Sequence, residues 1–446
     1  MPGEYDSGMV QKPSRQDETP FQSFVRSEAF SGVLLVLTAI CAFAWANSTW
    51  SPVYERLREV PVGVGVGGWA LQKPLLLWIN DGLMAVFFLF VGLEIKREVL
   101  IGELASPRAA TLPIAGAVGG MLVPALLYGW INWGGEGAPG WGVPMATDIA
   151  FALGIMALAG RRVPVSLKIF LTAVAIVDDL GAVMVIALFY TASLNLLSAG
   201  FAALALSAAA AYGWRRGGNI FIYALIGAIM WYFMLKSGIH ATVAGVLLAM
   251  TVPISRQARP ELLRIAVDRV FEQDGFEAAE VRLSAVEQQL ERTRSPLHEL
   301  EHALQPWVAH GIMPVFALFN AGFTLSPGVS LAAPIAAGSF VGLLVGKPVG
   351  IGLFCWLAVR SGLASLPAGT GWGPLLATAW LCGIGFTMAL FIASLVFGQS
   401  ALDQAKLGVL LASAAAAILG LGALLFTLRG RGSRGQPRSA RAASRA

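Results

Sequence analysis

Apolar stretches long enough to cross a lipid bilayer recur through almost the whole chain, and polar positions gather in the connections between them. Twelve such stretches are centred near residues 38, 85, 120, 152, 177, 204, 227, 246, 314, 345, 385 and 416. A helix needs about 20 mostly apolar residues to span the hydrocarbon core. The pattern predicts an all-α polytopic membrane protein of twelve transmembrane helices. It divides into a polar tail over 1–28, a transmembrane domain over 29–427 and a basic tail over 428–446.

Two stretches break the helical pattern. VPVGVGVGGWAL alternates Val and Gly, which predicts a small noncytoplasmic β-hairpin over 58–73. Its glycines Gly63, Gly65 and Gly68 match G-x-G-x-x-G, but no helix opens on them and no βαβ unit follows, so a dinucleotide site is not expected. The second stretch, a charged loop over 255–301, carries Leu283, Val286 and Leu290 at helical spacing and predicts a cytoplasmic amphipathic helix.

Composition supports the membrane reading: 56% of the 446 residues are hydrophobic and 13% are charged, against about 25% charged in soluble domains. The net charge of +5 comes from arginines in the connections, six of them between Arg429 and Arg445. Their alternation along the chain places both termini in the cytoplasm, so a nucleic-acid partner is not expected. Ala44-Trp45-Ala46 resembles a signal-peptidase site, yet the leader before it is long and contains acids, so this run is read as helix one. Cys41, Cys355 and Cys382 lie far apart inside apolar segments, without metal spacing.

Ionisable residues at the centre of a membrane helix cost about 2.5 to 3.5 kcal/mol on insertion scales, so each one there points to function. Asp178 and Asp179 lie in KIFLTAVAIVDDLGAVMVIALFY with apolar turns on both sides. Neighbouring helical positions differ by roughly 100°, so the two carboxylates face differently and should have different tasks. Asp148 follows Thr147 in VPMATDIAFALG and reads either as a helix N-cap or as an ion ligand at a broken helix. The matching interruption is Gly383-Ile384-Gly385, which makes spans four and eleven candidate broken partners in an inverted repeat. Lys347 stands midway through an apolar span beside Pro348, as a counter-charge to a buried Asp. The run Gly342-x-x-x-Gly346-Lys347-Pro348 lacks the spacing and hydroxyl of a P-loop, so no ATP motor is expected.

With these residues in place the chain resembles the NhaA family of sodium/proton antiporters over about residues 22–427. The resemblance rests on INDGLMAVFFLFVGLEIKRE, ATDIAFALG, AIVDDLGA, LKSGIHATVAGV, LEHALQPWV, NAG and GKPVGI. It implies an inverted-repeat fold with two crossed broken helices, and a homodimer held partly by the hairpin. Asp178 and Asp179 then form the exchange site, Asp148 and Thr147 neutralise the crossed ends or help the ion, and Lys347 pairs with Asp178. The same resemblance puts Asp81 in the ion pathway and Glu94, Arg97, Glu98, Glu301 and His302 in a cytoplasmic pH-response cluster. His240 matches a family histidine but reads as an interfacial hydrogen-bonder. Three departures bear on pH regulation rather than on transport: a long Arg256–Arg294 loop, Gln305 where a His is expected, and His298-Glu299 in place of a basic pair.

The expected activity is exchange of cytoplasmic Na⁺ or Li⁺ for external H⁺ in a bacterial inner membrane, without a cofactor. A desolvated carboxylate favours its protonated form and a second carboxylate reinforces this, so Na⁺ and protons should compete for one site. Exchange of two protons per Na⁺ follows if Lys347 loses its proton when Na⁺ arrives. A retinal pump would also place a Lys near Asp residues, but twelve spans and Pro348 argue against it. A channel would draw its acids from several subunits, and no catalytic Ser/His/Asp or metal set suggests an enzyme.

Overall fold

The computed structural model describes residues 28–66, 69–191, 194–215, 217–254, 295–325 and 328–429. The N-terminal tail, nearly all of the charged 255–301 loop with its expected amphipathic helix, and the basic tail lie outside the described residues.

In chain order the helices are α1 (Glu28–Ala46), α2 (Ser51–Glu59), α3 (Leu75–Leu100), α4 (Pro107–Ile131), α5 (Ile149–Leu158), α6 (Val165–Phe189), α7 (Leu196–Trp214) and α8 (Ile220–Ser237). They continue as α9 (Val243–Thr251), α10 (Pro296–Trp307), α11 (Met313–Asn320), α12 (Pro334–Arg360), α13 (Trp372–Cys382), α14 (Phe386–Val396) and α15 (Gln399–Leu428). Among the described residues, seven helices are long and apolar enough to cross a membrane, or up to ten if each of three bent pairs is one span. Two expected span centres, 246 and 314, fall in α9 and α11, of nine and eight residues. The protein is thus a mostly helical polytopic membrane protein.

Helix ends follow local chemistry. Asn195 and Asn219 cap α7 and α8 by accepting from Ser198 N and Phe221 N, which satisfies amides that the helix leaves free. Gly238, at φ 85°, ends α8 in the left-handed conformation that favours glycine. Large apolar side chains such as Leu126, Leu188 and Ile418 are more than two-thirds exposed. A surface of that kind suits hydrocarbon rather than water.

Between α2 and α3 the strands β1 (Pro61–Val66) and β2 (Trp69–Pro74) pair antiparallel, in the register Pro61↔Pro74 through Val66↔Trp69. The expected hairpin therefore begins at Pro61 rather than at residue 58, because α2 runs through Glu59.

Three wide turns interrupt long helices: Trp78–Leu83 in α3, Val308–Ile312 between α10 and α11, and Gly342–Gly346 in α12. The last two lead into Pro314 and Pro348 at the starts of the next helical segments. Proline lacks an N–H and its ring crowds the preceding turn. A π-turn, common at functional sites, accommodates it without ending the helix. Helices α4 and α12 approach most closely at two glycines: a Cβ on Gly119 would stand 2.2 Å from Gly350 O, and one on Gly350 2.1 Å from Gly119 O. Small residues at such a crossing let helices pack backbone to backbone.

Candidate functional site

Two bent helix pairs meet inside the bundle. The 3₁₀ segment Ala138–Met145 and α5 join across residues 146–148 at a bend of 41°, and α13 and α14 join across 383–385 at another 41°. Each interruption leaves peptide groups that its own helix cannot satisfy, and the partner supplies them. Asp148 N donates to Ile384 O at 2.7 Å. Asp148 Oδ1 accepts from Phe151 N at 3.0 Å, and Oδ2 accepts from Thr387 N at 3.1 Å and Thr387 Oγ1 at 2.5 Å. Asp148 thus caps its own helix α5 and reaches the first turn of α14. The N-cap reading of this residue is the one its hydrogen bonds display. A carboxylate near two helix N-termini lies where helix dipoles favour negative charge.

Of the opposite ends, one meets a cation and the other a hydroxyl. The C-terminal carbonyl Met145 O accepts from Lys347 Nζ, a cation at the negative end of the 3₁₀ segment. Cys382 O, at the end of α13, lies 2.9 Å from Thr147 Oγ1, which is also 2.7 Å from Asp178 Oδ2. One hydroxyl hydrogen serves those two acceptors, so Thr147 donates to only one at a time.

Asp178 and Asp179, in the middle of α6, are 1% exposed. Lys347 Nζ stands 2.5 Å from Asp178 Oδ2. Asp178 Oδ1 and Asp179 Oδ1 are buried and have no hydrogen-bond partner among the described residues. The two carboxylates differ in their partners: Lys347 and Thr147 hold Asp178, while among the described residues no protein donor bonds Asp179 Oδ1.

The remaining candidates make their hydrogen bonds and ion pairs apart from these groups. Asp81 lies in the wide turn of α3, with Oδ2 2.8 Å from Lys73 Nζ of β2 and its carbonyl accepting from Trp231 Nε1 at 2.9 Å. Arg97 joins the expected acidic cluster, with Nη1 3.0 Å from Glu98 Oε1, Nε 3.1 Å from Glu301 Oε1 and Nη2 4.0 Å from Glu94 Oε1. His302 is exposed on α10 and takes no part in those ion pairs. His240 Nε2 donates to Tyr190 O at 2.7 Å, the interfacial hydrogen bond the sequence suggested.

Sequence reasoning did not single out Thr387, Ser413 or the Asn80–Asn320 pair. Ser413 Oγ of α15 accepts from Phe386 N at 3.1 Å and so completes the capping of α14. Thr387 stands two residues after the Gly383-Ile384-Gly385 break, where a hydroxyl in the first turn of a helix was the available signal.

A helical membrane protein whose buried charges converge where two bent helix pairs meet has the build of a secondary transporter. The family model described as Na⁺/H⁺ antiporter 1 matches residues 22–424, and the chain belongs to that family of bacterial multi-pass membrane transporters. Its relatives include the Na⁺/H⁺ antiporter NhaA of Oleidesulfovibrio alaskensis, 50% identical over 95% of this chain and 97% of the relative. The protein of the same name in Koribacter versatilis is 48% identical over 90% of each chain, and that of an Escherichia coli strain is 46% identical over 91% and 98%. Members of the family are transporters, not enzymes.

Proposed function

We propose that this chain exchanges cytoplasmic Na⁺, or Li⁺, for external H⁺ by alternating access at Asp178 and Asp179. The observation that carries this reading is the pair of unpartnered buried oxygens, Asp178 Oδ1 and Asp179 Oδ1. Buried acceptors are costly to leave unsatisfied, and a proton or a hard cation is what such oxygens accept. One site that takes either, but not both, couples the two flows.

The neighbours supply the coupling. With protons bound, Lys347⁺ pairs with Asp178, and Thr147 and Asp148 satisfy the crossed helix ends. When Na⁺ arrives it takes over the Asp178 carboxylate, and Lys347 releases a proton. Together with the proton from Asp179, two H⁺ leave for each Na⁺, so exchange is electrogenic. The empty site carries uncompensated charge and moves slowly between sides, which prevents a leak.

Twelve spans arranged as inverted repeats, with spans four and eleven broken at 146–148 and 383–385, complete the architecture we infer. Both termini lie in the cytoplasm of a bacterial inner membrane, and the β1–β2 hairpin contributes to a homodimer. Asp81 stands in the ion pathway, and the Arg97 cluster with Glu94, Glu98, Glu301 and His302 carries the response to pH. No cofactor and no nucleic acid take part. Na⁺ gradient–driven proton movement in proteoliposomes, with the membrane potential set by K⁺ and valinomycin, tests the reading. A rate that rises when the potential favours net charge movement supports it, and a rate indifferent to potential contradicts two-for-one exchange.

A further inference from the structure

A second group of buried charges lies at the hairpin end of the molecule, away from the exchange site. Arg58 of α2 is 3% exposed and Lys406 of α15 is 1% exposed. Arg58 Nη1 lies 2.8 and 3.0 Å from the two oxygens of Glu55, and its guanidinium carbon sits 5.5 Å from the centre of the Tyr54 ring. Lys406 Nζ donates to Gly322 O at 2.9 Å and stands 4.0 Å from Asp403 Oδ1. Asp403 lies within electrostatic reach of Arg58 as well as Lys406. Buried charges are retained only where they are paired, and they cannot be separated cheaply without water.

The elements joined there belong to two groups. The outer end of α11 is tied to α1, α2 and α3: Asn47 Nδ2 donates to Phe323 O at 2.9 Å, Tyr54 Oη donates to Leu318 O at 2.7 Å, and Asn320 exchanges amide hydrogen bonds with Asn80 at 2.8 and 3.2 Å. Helix α15 is tied instead to α14 and α12. Ser413 caps α14, and Gly408 packs so closely on α12 that a Cβ would stand 2.3 Å from Ala336 O. Lys406 and Ser413 are seven residues apart, two turns along one face of α15. Elsewhere α11 and α14 meet through aromatic side chains such as Phe316 and Phe391, and surfaces of that kind can shear past one another.

We infer that Lys406, with Asp403 and the Arg58–Glu55 pair, is a latch between these two groups, and that it holds the hairpin side of the exchange site closed. Lys406 does this as a positioning residue: its ammonium meets the carbonyl end of α11, where a cation is favoured, and Asp403, three residues earlier on α15, stands beside it. Opening toward the hairpin side requires the contact between Lys406 and Gly322 O to part. This role rests on the alternating-access reading given above.

The test labels Cys382, a buried residue at the α13 break, with a membrane-impermeant cationic thiol reagent in a Cys41→Ser/Cys355→Ala background of the full chain. Lys406→Met is expected to raise the labelling rate in right-side-out vesicles by about 5- to 30-fold, the factor that one or two kcal/mol represents. The rate in everted vesicles stays unchanged, and Lys406→Arg, which keeps a donor for Gly322 O, stays near the parent. If Lys406→Met fails to assemble, the charge-balanced Asp403→Asn/Lys406→Met variant takes its place with the same expectation. Equal rates in parent and variant, or a rise from both faces alike, overturn the latch. Parent vesicles are also assayed for Na⁺-driven proton movement: its absence beside latch-dependent labelling removes the transport reading alone, and its presence beside unchanged labelling removes the latch alone.

Discussion

Lys347 Nζ lies 2.5 Å from Asp178 Oδ2 inside the bundle, and neither side chain has any exposed surface. The same ammonium donates to Met145 O. One cation therefore serves an acid of the proposed exchange site and the carbonyl end of the 3₁₀ segment Ala138–Met145. Removing it affects both.

Lys347→Met leaves Asp178 and Met145 O buried without their cation. Breaking a buried ion pair costs about 3 to 5 kcal/mol, whereas removing both partners can be nearly neutral. The thermal midpoint of purified Lys347→Met should fall clearly, and Asp178→Asn/Lys347→Met should regain most of the loss while remaining inactive. Melting curves followed by tryptophan fluorescence read both results.

Asp148 accepts three hydrogen bonds from Phe151 and Thr387. In Asp148→Ala the donors at Phe151 N, Thr387 N and Thr387 Oγ1 lose their acceptor, at about 1 to 3 kcal/mol for each buried group left unsatisfied. Thr387→Val removes one of these donors and leaves the backbone bonds in place. Stability in detergent should therefore order as parent, Thr387→Val, Asp148→Ala, and the apparent Na⁺ KM should rise in the same order.

Asn80 and Asn320 satisfy one another across the α3–α11 contact. Asn80→Leu leaves Asn320 Oδ1 without its donor and Nδ2 with Phe316 O alone, and Asn320→Leu strands the Asn80 amide, each at about 1 to 3 kcal/mol. The double variant should cost less than the sum of the singles. A double-mutant cycle on melting midpoints that sums additively would show that the two amides act independently.

Gly119 and Gly350 admit no side chain where α4 crosses α12. Gly119→Ala places a methyl against backbone, which cannot swing aside, so a loss of about 1 to 3 kcal/mol or more is expected. Gly129→Ala, on the same helix but with nothing within 4 Å of the added methyl, should be neutral. Yield of monodisperse protein after gel filtration separates the two.

Much of this arrangement is legible along the chain, because breaks and charges stand out against apolar runs. Thr147-Asp148 after Pro144, the Gly383-Ile384-Gly385 interruption and the Val/Gly alternation of the hairpin are local signals with local causes. Pairings between distant residues are not of that kind. Asn80 and Asn320 meet across 240 residues, and nothing beside either one names its partner. Lys73 pairs with Asp81 through a hairpin whose register the sequence leaves open. Lys406 follows Gln399, Asp403 and Gln404, so it reads as part of a polar helix start, and only the structure shows it buried with its ammonium on Gly322 O. The wide turns before Pro314 and Pro348 were hidden for another reason: a proline signals a disturbed helix, but not that the helix continues through a π-turn.

The central claim is that Asp179 exchanges Na⁺ against H⁺. Na⁺-induced dequenching of a pH-sensitive dye in everted vesicles, from pH 6.5 to 9, tests it on the parent chain and on Asp179→Asn, with equal folded protein confirmed by gel filtration. The account predicts dequenching in the parent that Asp179→Asn abolishes. Dequenching that persists in Asp179→Asn, or none in the parent at any pH, would contradict it.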